Sequence, residues 1–264
     1  MKESKKRKAG ERKVAALRVN DYHKEVLELL KSVDNYEWHH GHSMVRCEVL
    51  GAPLVEKYAW AVPDNKALEI IKHFAPIIEL GAGGGYWAYL LREMGVDIVA
   101  VDKYNAKGAK TYTEVIKGEP KILKKKEHEE RVLFLSYPDD RESMSMECLE
   151  YFQGDTIIHV GELAITGTKA GGVQRPWGKT SCSEFQVALM ADFHCVVRHR
   201  LPSFPTSCDY LTVWKRTPMM ITGDSQGEEE EADEEGEDEG WAVIPAEEVL
   251  ELGSDAAPGF EDLL

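Results

Sequence analysis

Apolar positions alternate with polar ones in two distinct rhythms along this chain. Tyr22, Val26, Leu29, Leu30 and Val33 recur at steps of three and four, which predicts a helix with one apolar face. Residues 34–62 follow no period; they read as an irregular stretch rich in aromatics, ending in Tyr58-Ala-Trp60-Ala-Val-Pro63. Asp64 has the chemistry of an N-cap for a second helix, whose apolar side is Ala67, Leu68, Ile71 and Phe74 and which Pro76 stops.

From there, short apolar runs alternate with helical periodicity, the pattern of a parallel sheet covered on both faces. Ile77–Leu80 reads as the first strand. Trp87, Leu90, Leu91 and Met94 lie on one face of the next helix, with Gly95 just past its end. Asp97–Val101 is the second predicted strand, and a short third falls near Thr113–Ile116. Residues 121–131 are mostly charged. Val132–Leu135 is a continuous apolar run and Thr156–Val160 a largely apolar one, both of buried-strand type. A helix over Ser183–Ala191 precedes two final strands, His194–Leu201 and Tyr210–Lys215, joined by a proline-containing loop. The expected fold class is α/β, with a mostly parallel seven-stranded sheet.

The chemistry concentrates between the first strand and its helix, in Glu79-Leu80-Gly81-Ala82-Gly83-Gly84-Gly85. Glycine at such a junction lets a ligand approach the main chain closely and reaches backbone angles that other residues avoid. The helix start that follows offers unpaired N–H groups. A dinucleotide loop needs G-x-G-x-x-G; counted from Gly81 the sixth residue is Tyr86, and the frame from Gly83 to Ala88 slides into the helix. The pattern acidic-x-G-x-G-x-G is met in full by Glu79, Gly81, Gly83 and Gly85. Asp102 follows the second strand seventeen residues after Gly85, where a carboxylate can accept from the hydroxyls of an adenosine ribose.

These residues resemble the first motif of the class I, Rossmann-like S-adenosylmethionine-dependent methyltransferases, a resemblance covering roughly residues 58–216 in strand order. It implies S-adenosyl-L-methionine as cofactor and a sheet ending in an antiparallel hairpin, which the last two predicted strands match. It also implies a cofactor set of Glu79, Gly81, Ala82, Gly83, Gly85, Asp102 and Ser136, with Glu79 orienting the cofactor's ammonium group. Amino-group methyltransferases often carry an Asp or Asn, two prolines and an aromatic after the fourth strand. Here Ser136-Tyr137-Pro138-Asp139 keeps only Pro138. Tyr137, Asp139 and Glu162 are the candidate catalytic residues, the carboxylates as bases if the acceptor must lose a proton. Tyr137, Tyr58 and Trp60 are candidate walls. A non-catalytic cofactor- or partner-binding protein on the same fold, and an NAD-dependent oxidoreductase, are the alternatives. The acceptor (protein, RNA or small molecule) is not written in the sequence.

Charge is distributed by segment. The net charge of −15 comes from the end of the chain: residues 224–264 hold seventeen Asp and Glu and no Lys or Arg, so the remainder is close to neutral. The first eighteen residues carry eight Lys/Arg against two Glu. The expected organisation is a basic disordered arm (1–20), a methyltransferase-like domain (21–221) and an acidic disordered tail (222–264). The arm suits an import signal, a nucleic acid or an acidic partner. The tail suits a protein partner, with Trp241 and Ile244 behind acids resembling a strand-adding peptide. No run is long and apolar enough to span a membrane, and the expected location is intracellular, in cytoplasm or nucleus. Five cysteines without a C-x-x-C pair argue against a disulfide framework. His39, His40, His42 and Cys47 lack a matching zinc-ligand pair, so no metal is expected. The glycine-rich segment 171–179 is a candidate lid.

Overall fold

A computed structural model of the protein describes residues 20–32, 51–104, 111–163, 168–170, 173–175, 180–204 and 207–217. The basic arm up to residue 19, the four-residue histidine and cysteine set, and the acidic tail lie outside the described residues, as does most of the segment 171–179. Asn20, assigned to the arm from sequence, belongs to the folded part. It is buried, its amide donates to the Pro63 carbonyl at 2.6 Å, and its Oδ1 accepts from the His23 amide at 3.2 Å.

The element order is helix α1 (Asp21–Ser32), a helical stretch over residues 51–57, α2 (Asn65–His73), β1 (Ile77–Leu80), α3 (Tyr86–Glu93), β2 (Ile98–Asp102), β3 (Ile116–Lys117), β4 (Val132–Ser136), α4 (Met144–Tyr151), β5 (Thr156–Gly161), β6 (Thr168–Ala170), β7 (Val173–Arg175), α5 (Ser183–Asp192), β8 (Phe193–Arg200) and β9 (Tyr210–Arg216). Two short 3-10 turns, Pro120–Lys124 and Lys126–His128, fill the charged stretch before β4. The seven-stranded sheet has the order β3-β2-β1-β4-β5-β9-β8. Strands β1 to β5 run parallel, and β9 enters antiparallel between β5 and β8. This is the Rossmann-like class I methyltransferase arrangement expected from sequence, closing hairpin included.

Each face of the sheet has its own core. Tyr22, Val26, Leu68, Ile71, Trp87 and Leu91, from α1 to α3, pack with Phe134, Ile158 and Val213. Cys148, Phe185 and Leu189, from α4 and α5, pack with Ile78, Leu133, Leu135, Ile157 and Trp214 on the other face. Asp64 caps α2, accepting from the Ala67 amide at 2.7 Å.

The structure corrects three local expectations. Residues 51–57 are helical although their sequence shows no clean period. The third strand is only two residues long and starts at Ile116, because it lies at the sheet edge and pairs on one side. Helix α4 escaped the sequence pattern because its apolar face is carried by Met and Cys beside Leu149 and Tyr151. The ribbon β6–β7, antiparallel in register from Thr168↔Arg175 to Ala170↔Val173, occupies part of the candidate lid.

No helix among the described residues is long and apolar enough to cross a membrane.

Candidate active site

The loop after β1 takes its shape from its glycines. Gly81, Gly83 and Gly85 all have positive φ (76°, 53° and 73°), a region costly for any residue with a Cβ. Main-chain bonds hold the loop to the end of β2. The Gly81 and Ala82 amides donate to the Val101 carbonyl at 2.9 and 3.1 Å, and the Gly83 amide donates to Asp102 Oδ2 at 2.8 Å. The other Asp102 oxygen accepts from the Tyr104 amide at 2.7 Å. The bare backbone of the loop and the Asp102 carboxylate therefore stand at the same, C-terminal end of the sheet, where open α/β sheets bind ligands. The three glycines differ in what a Cβ would meet. At Gly85 it would lie 2.8 Å from Val115 Cγ2, so that glycine serves packing. At Gly83 it would meet no atom of the described residues within 4 Å, so on their side the space it would enter is open.

That space belongs to a cavity of about 630 Å³, within the range of small-ligand sites. Glu79, Gly81, Ala82, Gly83, Trp87, Ser136 and Tyr137 line it, together with Glu56, Tyr58, Trp60, Phe204 and Ser207. Asp102 and Gly85 are not among its lining residues: Asp102 stands at the edge of the loop, bonded to the Gly83 amide, and Gly85 sits under Thr113 and Val115.

Two lining residues carry polar atoms with no partner among the described residues. Glu79 is buried; the Ala88 amide, in the first turn of α3, bonds its carboxyl, but its Oε2 has no partner. Burial pushes this carboxyl up to about 8; Arg92 and the Ala88 amide oppose the rise and Asp102 adds to it. The Trp87 indole Nε1 is a buried donor, equally unpartnered. An orphaned acceptor and an orphaned donor on one cavity wall are costly unless a ligand meets them.

A second group gathers at the ends of β4 and β5. Ser136 ends β4. Tyr137 follows with a φ of 54°, the one non-glycine residue at positive φ among the described residues, and strain of this kind clusters at functional sites. Its amide donates to the Val160 carbonyl at 2.8 Å, and its ring lies parallel to Trp60, with centroids 5.9 Å apart and planes at 12°. Burial holds the Tyr137 hydroxyl above its ordinary range, with Asp209 and Glu162 adding to the effect. Glu162 is buried, and its Oε1 accepts from the Cys208 amide at 2.7 Å. The structure does not bring Asp139 to this place. It stands exposed on a turn, its Oδ1 accepting from the Arg141 amide at 2.8 Å.

Sequence reasoning missed Asp209 and Trp87. Asp209 is 2% exposed, and burial, then Glu162, raises its carboxyl to about 7. An acid directly before a strand looks like a loop carboxylate, so its burial leaves no trace in the pattern. Trp87 was read only as a core residue of α3, a reading its apolar ring justifies and its indole N–H does not. No group of three or more His, Cys, Asp or Glu among the described residues is arranged to hold a metal ion.

No family model matches the chain, and no curated protein matches it. Among solved structures it is similar to a protein of the NADB-Rossmann superfamily from Streptococcus agalactiae (13% identity, covering 62% of this chain and 73% of that one, TM-score 0.39). It is also similar to the CcbJ methyltransferase from Streptomyces caelestis (18% identity, 57% and 88%, TM-score 0.37). A third is the N-methyltransferase NodS from Bradyrhizobium japonicum, solved with S-adenosyl-L-homocysteine (11% identity, 58% and 85%, TM-score 0.38). At these values the likeness carries no inference about the site of this chain.

Proposed function

We propose that the chain is an S-adenosyl-L-methionine-dependent methyltransferase. The observation that carries the reading is the pair of unpartnered atoms, Glu79 Oε2 and Trp87 Nε1, on the wall of a cavity floored by the positive-φ glycine loop. The amino-acid end of the cofactor is a zwitterion and matches them: Glu79 accepts from its ammonium group, and Trp87 donates to an acceptor beside it. The loop lets the ligand approach the main chain, and Asp102 fixes the loop through the Gly83 amide while keeping lone pairs for ribose hydroxyls. When bound, the cofactor supplies a methyl group on an already activated sulfonium, so the protein's task is alignment and exclusion of water. Ser136 and Tyr137 on β4, with Trp60 across from Tyr137, form the wall where an acceptor would be held.

Calorimetric titration tests the reading. Wild type should bind S-adenosyl-L-methionine and S-adenosyl-L-homocysteine saturably and NAD far more weakly, and Asp102→Ala should lose most of that affinity. Binding of NAD in preference to either adenosyl ligand would select an oxidoreductase instead. Adenosyl binding without transfer of labelled methyl to any protein, RNA or metabolite fraction would select a non-catalytic protein.

A further inference from the structure

The described part of the cavity wall contains Glu56 and Glu79 but no Lys, Arg or His. That described wall offers a phosphate or carboxylate no cationic partner, whereas a cation meets the Glu56 carboxylate and, on binding, favours the charged form of Glu79. The aromatic side of the wall points the same way. Trp60 is 67% exposed and lies parallel to the ring of Tyr137, and both rings line the cavity, an aromatic surface suited to a cation. Behind this wall lies Asp209. Its amide donates to Ser203 Oγ at 3.0 Å, and its Oδ2 accepts from the Ser207 hydroxyl at 3.3 Å. Its Oδ1 is buried with no partner at hydrogen-bond distance among the described residues, although the Tyr137 hydroxyl is near enough to favour the charged form. Ser207 and Tyr137, its neighbours, both line the cavity.

Resting on the methyl-transfer reading above, we propose that the acceptor is a basic aliphatic amine. Trp60 and Tyr137 receive it, and Asp209 drains its proton through the hydroxyl of Ser207 or Tyr137. The amine enters as R–NH3+ and gives one proton to this relay, which ends on the Asp209 carboxylate. The freed nitrogen lone pair forms the N–CH3 bond as the S–CH3 bond breaks. The S–C electron pair returns to sulfur, so the sulfonium becomes a neutral thioether and the product leaves as R–NH2+–CH3. Asp209 acts through another group and is therefore a positioning residue. The titratable groups around it are Glu162, Tyr137 and Tyr22. A proton acceptor lying near 7 suits this task at neutral pH.

The test supplies methyl-labelled S-adenosyl-L-methionine with four probes: butylamine and a lysine-containing peptide as amines, butyrate and adenosine monophosphate as anions. Cofactor affinity is measured alongside. Label should enter an amine nitrogen; which amine arm is used separates a small-molecule from a protein acceptor. The acidic limb of kcat/KM should rise through a midpoint near 7. Asp209→Asn should lower kcat/KM about a hundredfold and abolish that inflection with cofactor affinity unchanged. Should that variant fail to fold, Ser207→Ala, which removes one bond favouring the carboxylate, should move the midpoint upward. Label confined to butyrate or the nucleotide, no amine labelling by enzyme that binds the cofactor, or an unmoved pH inflection in the variants would overturn the amine proposal alone. Failure of wild type to bind the cofactor would overturn the methyl-transfer reading, and the proposal with it.

Discussion

Replacing Gly83 with alanine separates ligand space from fold more cleanly than any other single change. At a φ of 53°, an added Cβ costs roughly 1–2 kcal/mol of backbone strain. It meets no atom of the described residues within 4 Å, so they add no packing cost. For a domain of this size that is a fall in Tm of about 2–8 °C. The methyl group does, however, enter the cavity against which the cofactor must lie. Overpacking of this kind costs about 1–3 kcal/mol, or roughly 5- to 150-fold in Kd. Two controls bracket the variant. Gly95→Ala carries a similar backbone cost at a φ of 78° and also meets nothing within 4 Å, but stands past the end of α3 and away from the cavity. Gly85→Ala adds clashes with Val115 at 2.8 Å and Thr113 at 3.2 Å to a φ of 73°, and should lower Tm further than either. Thermal melts and calorimetric titration of S-adenosyl-L-homocysteine measure both quantities. Equal affinities for Gly83→Ala and Gly95→Ala would refute the claim that the loop backbone faces the ligand.

Three other changes probe the surroundings. Above pH 4.5 the unfolded chain ionises Glu79 while the folded chain keeps the proton until about 8, so this group lowers stability as pH rises through that window. Glu79→Gln should therefore gain stability relative to wild type between pH 5 and pH 8 in melts, yet bind the cofactor at least about tenfold more weakly for want of a charged partner; a pH-independent difference would contradict the burial argument. His159 is fully buried on β5, both ring nitrogens lack partners among the described residues, and burial pulls it down to about 3. Below pH 6.5 the unfolded chain takes up a proton that the folded chain refuses, so stability falls toward pH 3 by at most about 1.4 kcal/mol per pH unit. His159→Phe should be more favourable relative to wild type at pH 5 than at pH 8, and an equal difference at both would count against it. Tyr22→Phe removes the hydroxyl bond to the Ala59 carbonyl at 2.9 Å but keeps the stack on Tyr58, with centroids 4.8 Å apart, and should cost about 1 kcal/mol in denaturant melts; no loss would mean that this hydroxyl bond contributes nothing to docking α1.

The fold was legible wherever one physical rule dominated. Largely apolar runs marked β4 and β5 because those strands are buried on both faces, and alternating glycines marked the loop because three residues there need positive φ. Asp64 announced α2 through its capping chemistry. What stayed hidden depends on distance in the chain. Asp209 comes near Tyr137 and Glu162 only because β9 inserts beside β5, and nothing local distinguishes it from Asp139, which ended on an exposed turn. Trp87 gave its apolar character to the helical pattern and kept its N–H out of it. The strained backbone at Tyr137 has no sequence signal, since most residues at positive φ are glycine or asparagine.

The central claim is that Glu79 and Trp87 face a bound amino-acid group across the glycine loop. A crystal structure with S-adenosyl-L-homocysteine tests it most directly. The account predicts the ligand's ammonium within hydrogen-bond distance of Glu79 Oε2, its chain passing over Gly81 and Gly83. Density for the ligand elsewhere, or side chains packed into the cavity beside Glu79, would contradict it.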